Sequence, residues 1–125
     1  MIGDLLEKLV KIAEIKMKRD LDGSWYNGVD TYIEGLKCEL EEAKVELLNG
    51  KKCFLEDELG DVLWDFICIL KHLENDNKIE FDNVFLRALK KYDERVTGIN
   101  NGESWDEIKK SQLLTLQNEE NQLNP

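Results

Sequence analysis

Apolar residues recur along this chain at alternating steps of three and four, the period that gathers them on one face of an α-helix. The first such stretch, from Asp4 to about Lys18, carries Leu5, Leu6, Leu9, Ile12, Ala13 and Ile15, with Asp4 as the candidate cap. A second runs from about Asp30 to Leu48 on Ile33, Leu36, Leu40, Ala43 and Leu47, and Asn49 and Gly50 are suited to end it. The third, from about Lys52 to Glu74, bears Leu55, Leu59, Val62, Leu63, Phe66, Leu70 and Leu73 and is the most apolar, which predicts a central position. A fourth opens at Asp82 with Phe85, Ala88, Leu89, Tyr92 and Val96 as its stripe, until Gly98 to Gly102 interrupt it. A short fifth is expected from Trp105 to Leu116 behind a Ser104 cap. Nothing alternates with the period of two that a half-buried strand requires. The pattern predicts an all-α fold, an antiparallel four-helix-bundle-like core with an additional short C-terminal helix.

The connections are short and polar. The segment from Asp20 to Gly28 differs from the others in embedding Trp25 and Tyr26 among turn-forming residues, so it is read as either a staple onto the core or the lip of a binding site. Residues 1–116 are expected to form one helical domain, and the Asn/Gln/Glu-rich residues 117–125 a disordered tail. Val45 and Ile67 lie away from the core stripes of their helices and suggest a second apolar surface.

Composition narrows the function classes. Of 125 residues, 35% are charged and the formal net charge is -10, which repels phosphate backbones and argues against nucleic acid as a partner. The N-terminal stretch mixes Asp4, Glu7, Lys8 and Lys11 with its apolar residues, so neither a signal peptide nor a membrane span is expected. Cys38, Cys53 and Cys68 form no C-x-x-C pair and are odd in number, the pattern of reduced thiols. A soluble, cytoplasmic protein is expected.

The acidic residues are not evenly spread. At about 100 degrees per residue, Glu34 and Glu41 fall opposite the apolar stripe of the second helix, whereas Glu39, Glu42 and Glu46 share one flank of it. On the third helix Glu58, Asp61 and Asp65 share a flank in the same way, while Glu56 and Asp57 point elsewhere. If the two helices pack antiparallel across the turn at residues 49–51, four to six carboxylates meet in one cleft. Such crowding is costly unless a cation neutralises it or some groups are protonated. All-oxygen ligation selects a hard ion, Mg2+ with Mn2+ as a substitute.

Glu39-Leu-Glu-Glu42, followed after fifteen residues by Glu58-Leu-Gly-Asp61, resembles the E-x-x-E, spacer, E-x-x-D signature of the MazG family of nucleoside triphosphate pyrophosphohydrolases, and EDELGDVLWD is the more specific half. Trp25, the Lys91 to Arg95 segment and the Trp105 to Lys109 segment look like further family elements. The resemblance implies metal binding by Glu39, Glu42, Glu58 and Asp61, with Cys38 standing where the family usually has Glu and with Glu42 and Glu46 as an alternative register. It also implies catalytic work by Glu39, Glu42 and Glu58, one of the cluster's carboxylates acting as base.

Substrate contacts are implied for Trp25, Asp65, Lys91, Arg95, Trp105 and Lys109, although Trp105 could equally be a core anchor and Asp65 a ligand of the outer shell. The expected reaction is Mg2+-dependent cleavage of a nucleoside triphosphate between its α- and β-phosphates, in a homodimer or homotetramer as in relatives. A narrower enzyme acting on dUTP, dCTP or phosphoribosyl-ATP, and a non-catalytic helical interaction module, are the competing readings. His72 has no partner set in the sequence and reads as structural or exposed.

Overall fold

The computed structural model describes residues 1–124. Among them the regular structure is all-α, as the periodicity predicts: α1 (Ile2–Asp22), α2 (Asp30–Asn49), α3 (Lys52–Asn75), α4 (Phe81–Asn100) and α5 (Trp105–Leu123). The chain divides into two compact units, one from Met1 to Phe81 holding α1, α2 and α3, the other from Asp82 onward.

In the first unit α3 is central and packs against both α1 and α2. The turn from α2 to α3 is short because Gly50 adopts φ 70°, a left-handed conformation open to glycine at little cost, and returns its N–H to the Glu46 carbonyl. Two helices joined this tightly must run back alongside one another. The innermost side chains are Ala13, Tyr32, Ile67, Cys68 and Ile69, with Leu6, Leu9, Val10, Ile33, Leu36 and Trp64 packed around them.

Ile67 corrects the sequence reading. It is fully buried rather than part of an outer apolar surface, because α3 buries two faces, one against α2 and the other against α1. Conversely, Leu40, Leu59, Leu63 and Phe66, all assigned to core stripes, remain about half exposed, and Val45 is exposed as expected.

Helix ends differ where local signals compete. Asp4 does not cap α1; it sits within the first turn, since nothing before it stops the helix and Met1 takes the cap position. The fourth helix continues through Gly98 to Asn100, and Gly102, at φ 85°, makes the turn instead. Gly98 serves a packing need: a Cβ there would come within 2.4 Å of both the Glu103 carboxylate and the Ile108 side chain. Ser104 does cap α5, its hydroxyl accepting from the Glu107 N–H at 3.5 Å.

α5 then runs on to Leu123 where the pattern placed its end near Leu116. No Gly or Pro lies between Gly102 and Pro125, and Gln and Glu propagate a helix well. Residues 117–123, expected to be disordered, are therefore helical, and Pro125 of that expected tail lies outside the described residues. Within the second unit, Arg87 of α4 grips the Glu119 carboxylate of α5 with both guanidinium ends, at 3.3 and 2.8 Å.

Candidate functional site

Two stripes face one another across the α2–α3 contact. On α2 the steps of three and four run through Tyr32, Gly35, Glu39, Glu42 and Glu46, and on α3 through Glu58, Asp61, Asp65, Cys68 and His72. Because the helices are antiparallel, the acidic ends of both stripes meet. One carboxylate oxygen from each of Glu39, Glu58 and Asp61 lies within 4.8 Å of the others, so the three could share one ion. Glu42, the fourth expected ligand, is exposed and is not one of those three, but its carboxyl is within hydrogen-bonding reach of both Glu39 and Glu58 and its charge acts on both.

The electrostatics record the crowding. Desolvation, then proton sharing with Glu42 and Glu58, and the charges of Glu42 and Asp61 push the Glu39 carboxyl up to about 7. Glu58 is raised as well, by desolvation and by the same neighbours, Glu42 and Asp61. Asp65 is raised by burial and by the Asp61 charge. One oxygen each of Glu39, Glu46 and Glu58 is shut away from solvent with no hydrogen-bond partner. Buried acceptors of this kind are costly unless something donates to them or coordinates them. The all-carboxylate set of Glu39, Glu58 and Asp61, with orphaned oxygens on two of them, fits a hard divalent cation, and Glu46 carries a further orphaned oxygen on the same stripe of α2.

Asp65 lies beside Gly35, where a Cβ would come within 3.2 Å of its Oδ2. Glycine in the middle of α2 thus leaves room for that carboxylate. A glycine inside an otherwise helical pattern was the sequence signal for it.

Where the stripes end away from the acids, a second polar cluster is buried. The Asp20 carboxylate, 2% exposed, accepts from the Tyr32 hydroxyl at 2.5 Å, pairs with His72 Nε2 at 2.9 Å and is bridged by Lys16. Burial pulls Asp20 upward, but the hydrogen bonds from Lys16, Tyr32 and His72 outweigh it and hold the carboxyl below its ordinary value. His72 is therefore structural and deeply buried. Its partner Asp20 is 52 residues away in sequence, which is why no spacing rule finds the pair. Burial pushes the Cys68 thiol up to about 12, so it stays protonated and serves packing.

Trp25 lies in the α1–α2 loop, more than half exposed, edge-on to Tyr32 with ring centroids 5.5 Å apart and with Lys16 Nζ 4.2 Å over its own ring. In the second unit, Lys91, Arg95 and Lys109 line one cavity of about 610 Å3 together with Arg87, Lys90 and Lys110, a local excess of positive charge in an acidic protein. Arg95 is buried, its guanidinium 5.3 Å from the Tyr92 ring and 5.2 Å from the Trp105 ring, and its Nε donates to Gln112 at 2.8 Å. Gln112, not singled out by the sequence, also donates to the Lys91 carbonyl and to Glu94.

An all-helical chain with opposed carboxylates on two adjacent antiparallel helices defines a class: helical proteins with a carboxylate cluster between two helices, a set that could hold a metal ion. The family is narrower. Residues 27–98, more than half of the chain, match the MazG nucleotide pyrophosphohydrolase domain, and the chain belongs to that family. The matched span holds Glu39, Glu42, Glu58, Asp61, Asp65, Lys91 and Arg95, while Trp25, Trp105 and Lys109 fall outside it. No curated protein and no solved structure matches the chain. Among the described residues no helix is long and apolar enough to cross a membrane.

Proposed function

We propose that this protein is a Mg2+-dependent nucleotide pyrophosphohydrolase that cleaves nucleoside triphosphates to the monophosphate and pyrophosphate, clearing unwanted nucleotides in the cytoplasm. The observation that carries the reading is the convergence of Glu39, Glu58 and Asp61, with buried unpartnered oxygens on Glu39 and Glu58, inside the span matched by the family. These three hold the metal, with Glu42 beside them and Glu46 as a further oxygen donor. When bound, Mg2+ or Mn2+ supplies charge neutralisation for phosphate oxygens and makes a coordinated water a stronger nucleophile.

Water attacks the α-phosphorus, the bridging bond to the β-phosphate breaks and pyrophosphate leaves. The proton of that water passes to a carboxylate of the cluster. The raised Glu39 belongs to the metal-free cluster, so exposed Glu42, outside the three-oxygen set, is the base when the ion is bound, with Glu39 as the alternative. Lys91, Arg95 and Lys109 bind polyphosphate oxygens, a role supported by the positive cavity they line. Trp25 offers a ring face to the base, and Asp65 reaches the sugar or the metal's outer shell. Leu40, Leu59, Leu63 and Phe66 are each about half exposed, apolar area that a second copy would bury, which supports a homo-oligomer.

The test is pyrophosphate release from a panel of canonical and modified nucleoside triphosphates with Mg2+ or EDTA, for wild type and Glu58→Gln. Release that requires Mg2+ and falls at least about a hundredfold in the variant is expected. The panel also separates broad housecleaning from a dUTP-, dCTP- or phosphoribosyl-ATP-directed enzyme. No release from any nucleotide would leave the non-catalytic module as the reading.

A further inference from the structure

Asp20 poses a physical question that metal binding does not answer. A carboxylate this buried is unfavourable unless its charge is matched by donors in good geometry. Three donors converge on it, one from each helix of the first unit: Lys16 from α1, Tyr32 from α2 and His72 from α3. Each of the three also touches an aromatic ring of the α1–α2 loop. Lys16 Nζ lies 4.2 Å over the Trp25 ring. Tyr32 meets Trp25 edge-on at 5.5 Å and Tyr26 at 6.1 Å. His72 stacks on Tyr26 with centroids 4.0 Å apart and planes 13° from parallel.

Residues 23–29 contain no helix or strand of their own, so little backbone bonding fixes where these rings go. The network supplies what the loop lacks. It also lies on the same helical stripes as the acidic cluster, Tyr32 seven residues before Glu39 and His72 eleven after Asp61, so the rigid α2–α3 pair sets both the carboxylates and the anchor of the loop.

We propose that the buried Asp20–Tyr32–His72 network, with Lys16, is the anchor that positions Trp25 for contact with the base of the bound nucleotide. Asp20, Tyr32 and His72 are then positioning residues, acting through Trp25 and touching no substrate. The inference rests on the nucleotide-hydrolase reading for its consequence in kinetics, but the anchoring itself can be read without turnover.

Tyr32→Phe and His72→Phe each remove one donor to Asp20 while keeping a ring to pack on the loop. With the wild type, Trp25→Ala and the double variant Trp25→Ala/Tyr32→Phe, they are compared by steady-state kinetics on the best nucleotide and by the rate of chymotrypsin cleavage after Trp25 and Tyr26. Expected for each donor variant are a KM raised about tenfold, a kcat within about twofold and cleavage about tenfold faster, the scale of one lost hydrogen bond to a charged group. The Mg2+ concentration for half-maximal activity is unchanged. Trp25→Ala raises KM similarly, and adding Tyr32→Phe raises it no further.

Unchanged KM with unchanged cleavage overturns the proposal. So does a raised KM accompanied by a lower kcat and a changed Mg2+ requirement, the mark of a merely structural role, or a double variant whose effects add. If wild type releases no pyrophosphate from any nucleotide, the hydrolase reading fails by itself, and cleavage rates equal to wild type would overturn the anchor separately.

Discussion

At the scale of single residues, the crowding of carboxylates that the proposal assigns to the metal makes the metal-free protein less stable as they ionise. Glu39 is raised from 4.5 to about 7 in the folded state, and Glu58 is raised in the same direction. A group with a raised folded pKa binds its proton more tightly when folded, so its contribution is fully present below the unfolded value and is lost as pH rises through the folded one. In EDTA, the melting temperature is therefore expected to fall between about pH 4.5 and 7, and Glu58→Gln to raise it there while abolishing hydrolysis. Mg2+ competes with those protons, so its affinity, followed by calorimetry, should climb with pH up to about 7 and then level. Asp20 has the opposite sign: its lowered carboxyl stabilises above the unfolded value of 3.8, and that stability is lost as pH falls through the folded value. A melting temperature in EDTA that is flat from pH 4.5 to 7 would contradict the crowding.

Among helices, the decisive feature is that α3 buries two faces. Ile67, fully enclosed between α3 and its neighbours, should cost about 2–5 kcal/mol when truncated to Ala, measured by urea unfolding. Half-exposed Leu63, nominally part of the core stripe, should cost well under that, and equal losses would mean that the core has been misassigned. The α4–α5 pair gives a contrast of another kind. Arg87–Glu119 is a solvent-exposed ion pair, and removing it should change stability by less than about 1 kcal/mol. Gln112→Leu strips the buried Arg95 of its acceptor and should cost more, about 1–3 kcal/mol. Helix order and approximate spans were legible from periodicity because apolar spacing reports helical period directly. Which of two apolar faces is inner was not, since both α3 faces read as apolar and only the position of α1 decides between them.

For the whole molecule, a single chain leaves Leu40, Leu59, Leu63 and Phe66 half exposed, an arrangement that a second copy would relieve. Sedimentation of the wild type is expected to give a dimer or tetramer, and Leu63→Glu with Phe66→Glu to shift it toward monomer. A wild type that sediments as a monomer at all concentrations would remove the reading. The net charge of -10 is a property of the whole chain and does not identify the reaction.

The sequence by itself determined the all-α class, the five helices and the two acidic flanks, because helical period and local caps are properties of short stretches of chain. It also carried the family, through Glu39-Leu-Glu-Glu42 and Glu58-Leu-Gly-Asp61, which the match over residues 27–98 bears out. Tertiary structure alone decided that Glu39, Glu58 and Asp61 converge with Glu42 beside them, that Gly35 makes room for Asp65, and that Asp20 meets His72 across 52 residues. Those outcomes depend on the register between helices, to which one helix's own periodicity is blind.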